Sequence, residues 1–535
     1  MHRKAINNNV PDNQTLFFYS DYLRNLTQLV PLLFFVVMIL VVIFNRPIGD
    51  YGVETDFYSA YVDQAKELLN GNLIVDDYRG PFYQIVLALF GILFNHDFFL
   101  AGKILNVTCA GIALVFIFKL VERISNSEIA MFAGLFVAVN LNFIRYSYMP
   151  GTDMLFMMLY ISALYFILKS SHGTSKDLVL AGVFTSLAYL TRYTGISLIL
   201  FALIFFVFQF IIGKKNDKLN LSGKKLLMFL LPMFVLLGSW SVYSHLQTGQ
   251  FFHNKNYLNT AMTIHKPDEI SKDEWTLKYQ NEFGSMYEVV TKDLSKFLER
   301  VFVENLPGYF YKDLTRLFPR IIGLLAGLGL LLFLGSLLRK NELERGYLLA
   351  SFLFYCQLLL IFYSERFSLP LVPFYSFMIV SLFSYQIFQS MNIGNKRIRI
   401  FGIVLASLLI YNFVSSYSII KNEINEGPVE ILQIRKDIEQ KYNVQLQGKS
   451  VMARKPHIAY YLNMDYQVTP YVESYQELLK VLKDSKVNYY FVNEKEIESF
   501  ENEDIKNLLL HTPHTQGLEV VSFTDNPKAY LYKVK

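Results

Sequence analysis

The chain has 535 residues, of which 53% are hydrophobic and 18% are charged, and its formal net charge is +5. Soluble globular proteins carry about 25% charged residues, so the composition favours a membrane protein. A net charge of this size does not indicate nucleic-acid binding. The two cysteines both lie in apolar runs and provide no disulfide framework.

Eleven apolar segments approach the roughly 20 residues that a helix needs to cross a bilayer. They begin near Leu29, Leu100, Ile129, Met154, Leu178, Thr194, Leu226, Ile321, Tyr347, Phe367 and Ile400. Lysine- and arginine-rich loops alternate with loops that are nearly free of lysine, and basic loops stay in the cytoplasm. We therefore predict a cytoplasmic N-terminus, residues 1–28, and an extracytoplasmic C-terminus. The lysine-, asparagine- and isoleucine-rich usage favours a prokaryotic plasma (inner) membrane.

The predicted transmembrane domain, residues 29–420, is interrupted on its outer side by two polar loops, 45–99 and 245–320. The first loop contains an amphipathic segment, Phe57–Leu69, which we predict to be a helix on the membrane surface. It also contains an apolar segment, Pro81–Phe94, that is too short to cross and that we interpret as re-entrant or interfacial. Residues 421–535 alternate helix-like and strand-like stretches, which predicts a small α/β domain.

Charged residues gather at the predicted outer boundary, where arginine is disfavoured by the positive-inside rule. They are Asp56, Arg79, Arg145, Asp153, Arg192 and Arg366. Each aspartate could simply cap a helix, and Arg79 could simply extend towards the interface. Because the planar guanidinium group of arginine binds phosphate through two hydrogen bonds, the set as a whole predicts a site for a lipid-linked phosphate.

The stretches that carry these residues resemble the GT-C superfamily of membrane glycosyltransferases. The resemblance is to the branch that holds the protein O-mannosyltransferases and the lipid A aminoarabinose transferases. It rests on TDFYSAYVDQAKELLNG, RGPFYQIVLALFGILF, RYSYMPGTDMLF, LAYLTRYTG and RFSLPLVPF, which occur in this order on the predicted outer side. The expected fold class is an α-helical polytopic membrane protein of about eleven transmembrane helices, GT-C-like, with a small extracytoplasmic α/β C-terminal domain.

The resemblance implies a polyprenyl-phosphate sugar as donor and transfer with inversion to an extracytoplasmic glycan, lipid or protein. In such enzymes an aspartate of the first outer loop is the general base, a role that falls on Asp56. Many relatives carry an Asp-Glu pair at this place, whereas Phe57 follows Asp56 here, so Glu54 stays open as the base. The acid of the second outer loop corresponds to Asp153, the third candidate catalytic residue.

The other expected site residues are basic and aromatic. We expect the donor phosphate to be bound by Arg79, Arg145, Arg192 and Arg366. We expect the donor and acceptor pocket to be lined by Tyr58, Tyr61, Tyr83 and Tyr148. No cofactor is assigned, because the histidines lack the spacing of metal ligands. A weak site for a divalent cation, Mg or Mn, at Asp56 and Asp153 stays open.

Three other classes of protein are compatible with a polytopic chain. A transporter or flippase of lipid-linked sugars would show inverted repeats and charges near the bilayer midplane, whereas the charges here lie at one edge. A structural or sensor protein would leave the polar outer loops unexplained. A glycan polymerase or ligase of another fold, using the same lipid donors, is the nearest competitor.

Overall fold

The computed structural model describes residues 20–46, 48–49, 56–170, 174–213, 223–267, 269–270, 272–383, 391–393, 396–398, 400–425, 428–441, 446–470, 472–497, 503–510 and 517–535. Within these ranges the chain is mostly helical. A helix covers every segment that the apolar pattern predicts to span the membrane. Several further helices lie in the two polar loops.

The elements follow in chain order. The α-helices are α1 (Ser20–Phe44), α2 (Asp63–Leu69), α3 (Phe82–Leu93), α4 (Phe98–Ile124), α5 (Ser127–Ala138), α6 (Leu141–Tyr148), α7 (Thr152–Lys169), α8 (Ser175–Thr191), α9 (Ile196–Gly213), α10 (Gly223–Thr248), α11 (Tyr257–His265), α12 (Lys272–Tyr279), α13 (Met286–Lys292), α14 (Leu294–Leu298), α15 (Leu306–Arg316), α16 (Arg320–Gly335), α17 (Glu342–Leu358), α18 (Val372–Phe383), α19 (Ile400–Asn425), α20 (Val429–Lys441), α21 (Pro456–Leu462), α22 (Tyr475–Asp484), α23 (Glu494–Ile497) and α24 (Glu503–Leu510). Short π-helical segments cover Phe57–Val62 and Glu299–Asn305. The strands are β1 (Met391–Ile393), β2 (Lys396–Ile398), β3 (Ser450–Ala453), β4 (Asp465–Val468), β5 (Tyr489–Asn493), β6 (Leu518–Asp525) and β7 (Lys528–Val534).

Fewer than the eleven predicted helices pass a strict test of the length and apolarity needed to cross a membrane. Five of the described helices are long and apolar enough to cross, and six if α5 and α6, which meet at a bend of 59°, form one broken span. Helices such as α16 and α18 are apolar but shorter. A bilayer core is about 30 Å thick, and these helices are short for that distance. The eleven crossings therefore stay a prediction.

The membrane domain is built around α4 and α7, whose residues are mostly buried. Gly102 of α4 allows the ring of Phe57 to approach closely, since a methyl group at this position would lie 3.0 Å from that ring. At the periphery, α1 and α10 expose large apolar side chains such as Phe44 and Phe234. Exposed apolar faces of this extent are typical of surfaces that contact lipid.

The first of the two polar loops places two short helical segments against this core. The predicted amphipathic segment, Phe57–Leu69, is helical throughout, as a π-helical turn followed by α2. Its face with Tyr58, Tyr61 and Ala65 is buried. The predicted short apolar segment forms α3, whose 12 residues extend over about 18 Å at 1.5 Å per residue. This length is well below that of a bilayer core.

The C-terminal residues form the small α/β domain that the sequence predicts. Its sheet has the strand order β4-β3-β5-β7-β6, with β3 parallel to β4 and β5, and β7 antiparallel to β5 and β6. Separate apolar clusters cover the two faces of the sheet. The domain contacts the first outer loop through α21, where the Tyr460 ring centroid lies 5.3 Å from that of Tyr58 and 4.6 Å from that of Phe99.

Candidate active site

Asp56 lies beside Arg79, which is held on its other side by Asp76. Arg79 Nη2 donates to Asp56 Oδ1 at 2.6 Å, and Arg79 Nη1 donates to Asp76 Oδ2 at 2.9 Å. Asp76 Oδ1 also accepts the backbone N–H groups of Tyr78 and Arg79, at 2.7 and 3.0 Å, which fixes the turn from which Arg79 extends. The Asp56 side chain is 46% exposed, whereas that of Arg79 is 20% exposed. Asp56 is therefore oriented by an arginine and still open to solvent.

The electrostatics of this first cluster favour ion pairing. Burial lowers the pKa of the Arg79 guanidinium, but the neighbouring charges and hydrogen bonds of Asp56 and Asp76 outweigh burial and hold that pKa above its ordinary value. Asp56 makes no capping hydrogen bond to the backbone of the helix that follows. The ion pair with Arg79, rather than helix capping, is thus the interaction that the structure gives to Asp56.

Asp153 is the centre of a second, more buried cluster. Arg192 Nη1 donates to Asp153 Oδ1 at 2.6 Å, and Arg366 donates through Nε to Oδ1 at 3.2 Å and through Nη2 to Oδ2 at 3.0 Å. The Asp153 side chain is only 6% exposed. Both guanidinium groups also lie 5.3 Å from the ring centroid of Phe367. Two arginines from distant parts of the chain thus converge on one carboxylate at the N-terminal end of α7.

Tyr61 lies between the two clusters. The guanidinium carbon of Arg79 lies 5.7 Å from the centroid of its ring, and Tyr83 packs edge-on against the same ring at 4.9 Å. The Tyr61 hydroxyl lies beside Thr152, the residue before Asp153. Burial raises the pKa of Tyr61, against the charges of Arg79 and Arg192. Tyr61 therefore interacts electrostatically with guanidinium groups from both clusters.

The main chain also joins the two clusters. A methyl group on Gly80 would lie 2.0 Å from the carbonyl oxygen of Leu190, so only glycine allows this approach. Leu190 is two residues from Arg192, and Gly80 follows Arg79 directly. In addition, the Tyr193 hydroxyl donates to the Arg79 carbonyl oxygen at 3.3 Å. The backbones that carry Arg79 and Arg192 are thus packed directly against each other.

Three of the predicted site residues lie elsewhere. Arg145 donates through Nε to Glu423 Oε1 at 2.9 Å and through Nη2 to the same oxygen, and Tyr148 donates to Glu423 Oε2 at 2.6 Å. Glu423 is near the end of α19, so these bonds tie α6 to the helix that leads into the C-terminal domain. Tyr58 packs between Phe99 and Tyr460. The structure thus brings Asp56, Arg79, Asp153, Arg192, Arg366, Tyr61 and Tyr83 together, and gives Arg145, Tyr148 and Tyr58 other partners.

The fit of a divalent cation can be judged from the described carboxylates. Both predicted ligands, Asp56 and Asp153, already accept hydrogen bonds from arginine. Across the described ranges, no group of three or more His, Cys, Asp or Glu side chains could hold a metal ion. Because arginines pair with both carboxylates, a Mg or Mn ion at Asp56 and Asp153 would have to displace them, and this weak divalent site stays a prediction. Glu54 lies outside the described residues, so its role as alternative base stays a prediction.

Two partners of the arginines, Asp76 and Glu423, are not among the residues predicted from the sequence. Asp76 stands in the stretch DDYRGPFY, three residues before Arg79, and an aspartate at the start of a turn often bonds to the backbone ahead of it. That local signal could have identified it. Glu423 is far from Arg145 in sequence, and its only signal is an acid at the end of the last apolar helix.

With the geometry defined, we compared the chain with known proteins. The family model for dolichyl-phosphate-mannose-protein mannosyltransferases matches residues 78–240, which include Arg79, Asp153 and Arg192. The structure is similar to ArnT from Cupriavidus metallidurans bound to undecaprenyl phosphate, with a TM-score of 0.53 and 14% identity over 94% of this chain and 97% of that chain. The chain has the GT-C fold. We find no significant sequence match to a curated protein.

A second GT-C structure is also similar. It is the archaeal oligosaccharyltransferase AglB from Archaeoglobus fulgidus in complex with an inhibitory peptide and a dolichol-phosphate, with a TM-score of 0.51 and 13% identity over 88% of this chain and 69% of that chain. The GT-C fold confirms the predicted fold class, a helical membrane protein with a small C-terminal sheet domain. The orientation in the membrane stays a prediction.

Proposed function

We propose that this GT-C protein transfers a sugar from a polyprenyl-phosphate donor to an extracytoplasmic acceptor with inversion at the anomeric carbon. The observation that carries the proposal is the convergence of Arg79, Arg192 and Arg366 around one site next to a half-exposed carboxylate, Asp56. Two similar structures contain undecaprenyl phosphate or dolichol-phosphate, and the matched family is described as dolichyl-phosphate-mannose-dependent. Both support a lipid phosphate as the ligand of this site.

The two clusters suggest separate roles. Asp56 accepts the proton of the acceptor hydroxyl or amine, because it is the more exposed carboxylate and Arg79 fixes its orientation. Asp153 is buried and held by two arginines, so it positions Arg192 and Arg366 rather than acting as a base. Arg192 and Arg366 bind the donor phosphate, and Arg79 orients Asp56 at the edge of the same site.

The reaction balances without a further reactant. The acceptor oxygen or nitrogen forms a bond to the anomeric carbon while the bond from that carbon to the phosphate oxygen breaks. The electron pair of the broken bond leaves with the polyprenyl phosphate, and Asp56 takes the acceptor's proton. Arginines in a partly desolvated site stabilise the charge that develops on the phosphate. Direct attack opposite the leaving group gives inversion.

Among the alternatives, the GT-C fold removes a polymerase or ligase built on another fold. A transporter or flippase of lipid-linked sugars gains no specific support, since the charged clusters lie at helix ends. The prokaryotic plasma (inner) membrane stays the predicted location, and a glycan, a lipid or a protein stays the predicted acceptor.

The test uses the full chain in lipid nanodiscs with a panel of radiolabelled polyprenyl-phosphate sugars. We expect the wild type to turn over one donor, and Asp56→Asn to lose about 10²–10⁴-fold in rate while binding of that donor is kept. Asp63→Asn is the matched control, since Asp63 lies on the same helical segment but pairs with Lys66, and we expect it to retain activity.

Two results would overturn parts of the proposal. Equal turnover by wild type and Asp56→Asn would remove Asp56 as the base, and loss of turnover in Glu54→Gln would then assign that role to Glu54. Binding without turnover of every donor would argue for a transporter.

A further inference from the structure

A buried carboxylate outside the two clusters is hydrogen-bonded to the segment that carries Arg366. Asp313, on α15, is only 1% exposed. Its Oδ1 accepts the Tyr363 hydroxyl at 3.1 Å and its Oδ2 accepts the Tyr375 hydroxyl at 3.0 Å. The Ser368 side chain also lies beside this carboxyl group. Burying a carboxyl group is costly unless its oxygens are well bonded, so this arrangement requires an explanation.

The positions of these partners in the sequence explain why a carboxyl group is buried here. Tyr363 stands three residues before Arg366, and Ser368 stands two residues after it. Asp313 therefore bonds to Tyr363 at the start of the short segment Tyr363–Ser368, which we call the Arg366 turn, and lies beside Ser368 at its end. Within this turn the Phe367 N–H donates to the Ser364 carbonyl oxygen at 3.0 Å. The side chain of Arg366 extends from the turn to Asp153.

Helix α15 is well suited to hold the turn in place. One helical turn beyond Asp313, Arg316 Nη1 donates to Glu365 Oε1 at 3.0 Å, so α15 also contacts the residue next to Arg366. The helix is anchored at its end, since Asn140 Nδ2 donates to the Leu317 carbonyl oxygen at 2.6 Å. It also packs closely on α16, where a methyl group on Gly323 would lie 1.6 Å from the Leu314 carbonyl oxygen. The Arg366 turn is thus bonded to a helix, α15, that is itself held in place by packing.

We propose that Asp313 is a positioning residue that holds the Arg366 turn, and with it the Arg366 guanidinium, in the geometry that receives the donor phosphate. The inference rests on the proposed function, because it takes Arg366 to be a phosphate ligand. Asp313 itself does not touch the substrate, since its carboxyl group is buried among hydroxyl groups.

The surroundings of Asp313 affect its protonation. Burial raises its pKa to about 7, against the hydrogen bonds from Ser368, Tyr375 and Tyr363. The charged and titratable groups that face it are these two tyrosines, Tyr355 of α17 and Glu365, which itself pairs with Arg316. Protonation of Asp313 converts one acceptor oxygen into a donor. The hydrogen bonding between Asp313 and the Arg366 turn should therefore change near neutral pH.

The experiment measures binding of undecaprenyl phosphate to the full chain in nanodiscs, with Arg366→Gln, Asp313→Asn and the double variant. We expect Asp313→Asn to weaken binding about tenfold, the size of a hydrogen bond to a charged group. The double variant should bind no more weakly than Arg366→Gln alone, because one residue acts through the other. Tyr363→Phe, which removes one bond and keeps the carboxyl group, should weaken binding a few-fold.

Tyr355→Phe is the matched control. Its hydroxyl donates to the Leu306 carbonyl oxygen of α15 at 2.6 Å, so it removes a bond to the same helix but not to the Arg366 turn, and binding should be unchanged. If Arg366→Gln binds normally, the phosphate role of Arg366 and the inference both fail. If Arg366→Gln weakens binding but Asp313→Asn and Tyr363→Phe do not, or if their effects add to it in full, the inference alone fails. Should Asp313→Asn not fold, Tyr363→Phe decides by the same criteria.

Discussion

Asp76 accepts hydrogen bonds from Arg79 at two places, the backbone N–H at 3.0 Å and the guanidinium Nη1 at 2.9 Å. One carboxylate thus sets both the turn and the direction of the side chain that reaches Asp56. The candidate base is oriented through this chain of contacts rather than by capping of its own helix.

Asp76→Asn should therefore lower kcat/KM. An amide keeps one oxygen for the turn but loses the charge opposite Arg79, so we expect about a tenfold decrease, the size of a charged hydrogen bond. Initial rates with the preferred donor measure the effect. Asp77→Asn is the control, because Asp77 pairs instead with His253 and Lys255. Equal losses in both variants would contradict a specific role for Asp76.

Gly80→Ala should reduce both stability and activity. The added methyl group would lie 2.0 Å from the Leu190 carbonyl oxygen, and the backbone between Arg79 and Arg192 must then separate, at a cost of about 1–3 kcal/mol. Thermal unfolding in nanodiscs and donor turnover measure the two effects. Gly238→Ala is a suitable control, since a methyl group there meets nothing within 4 Å. An unchanged midpoint and rate for Gly80→Ala would contradict the close packing.

Asp313 should make the protein less stable as the pH rises towards neutrality. Its pKa is raised from 3.8 to about 7 in the folded chain, so between these values the folded state holds a proton that the unfolded state has lost. The stabilising contribution is complete below about pH 4 and is lost as the pH passes through 7. Unfolding midpoints from pH 5 to 8 should fall less steeply in Asp313→Asn than in the wild type. Parallel slopes would contradict this assignment.

Arg145 offers a test between a phosphate ligand and a structural ion pair. Because Glu423 bonds both Arg145 and Tyr148, we expect Arg145→Gln and Glu423→Gln to lower the unfolding midpoint by similar amounts, and the double variant to be little worse than either. The KM for the donor should stay unchanged in both. A raised donor KM in Arg145→Gln alone would restore Arg145 to the phosphate site, as the sequence predicts.

Much of the fold follows from local patterns in the sequence. Each apolar segment became a helix because a backbone in an apolar environment must satisfy its own hydrogen bonds. The alternating pattern of residues 421–535 likewise predicted the α/β domain. What length alone could not settle is how many of the shorter helices cross the membrane.

The candidate site was predictable as a set of residues but not as a set of partners. Arginine and aspartate at the ends of apolar helices stand out because charge is rare there. Their pairing depends on tertiary packing: Arg366 reaches Asp153 across 213 positions of the chain. Asp313 gave no local signal, since an aspartate on an amphipathic helix is normally expected to face solvent.

The packing of Tyr460 on Tyr58 and Phe99 has a consequence for domain exchange. Tyr58 is two residues from Asp56, so the C-terminal α/β domain packs behind the helical segment that follows the candidate base. A graft of another C-terminal domain onto this membrane domain would therefore also change the packing behind the candidate base. Such a chimera has to bring an aromatic side chain at the place of Tyr460, or carry its own version of the Phe57–Val62 segment with it.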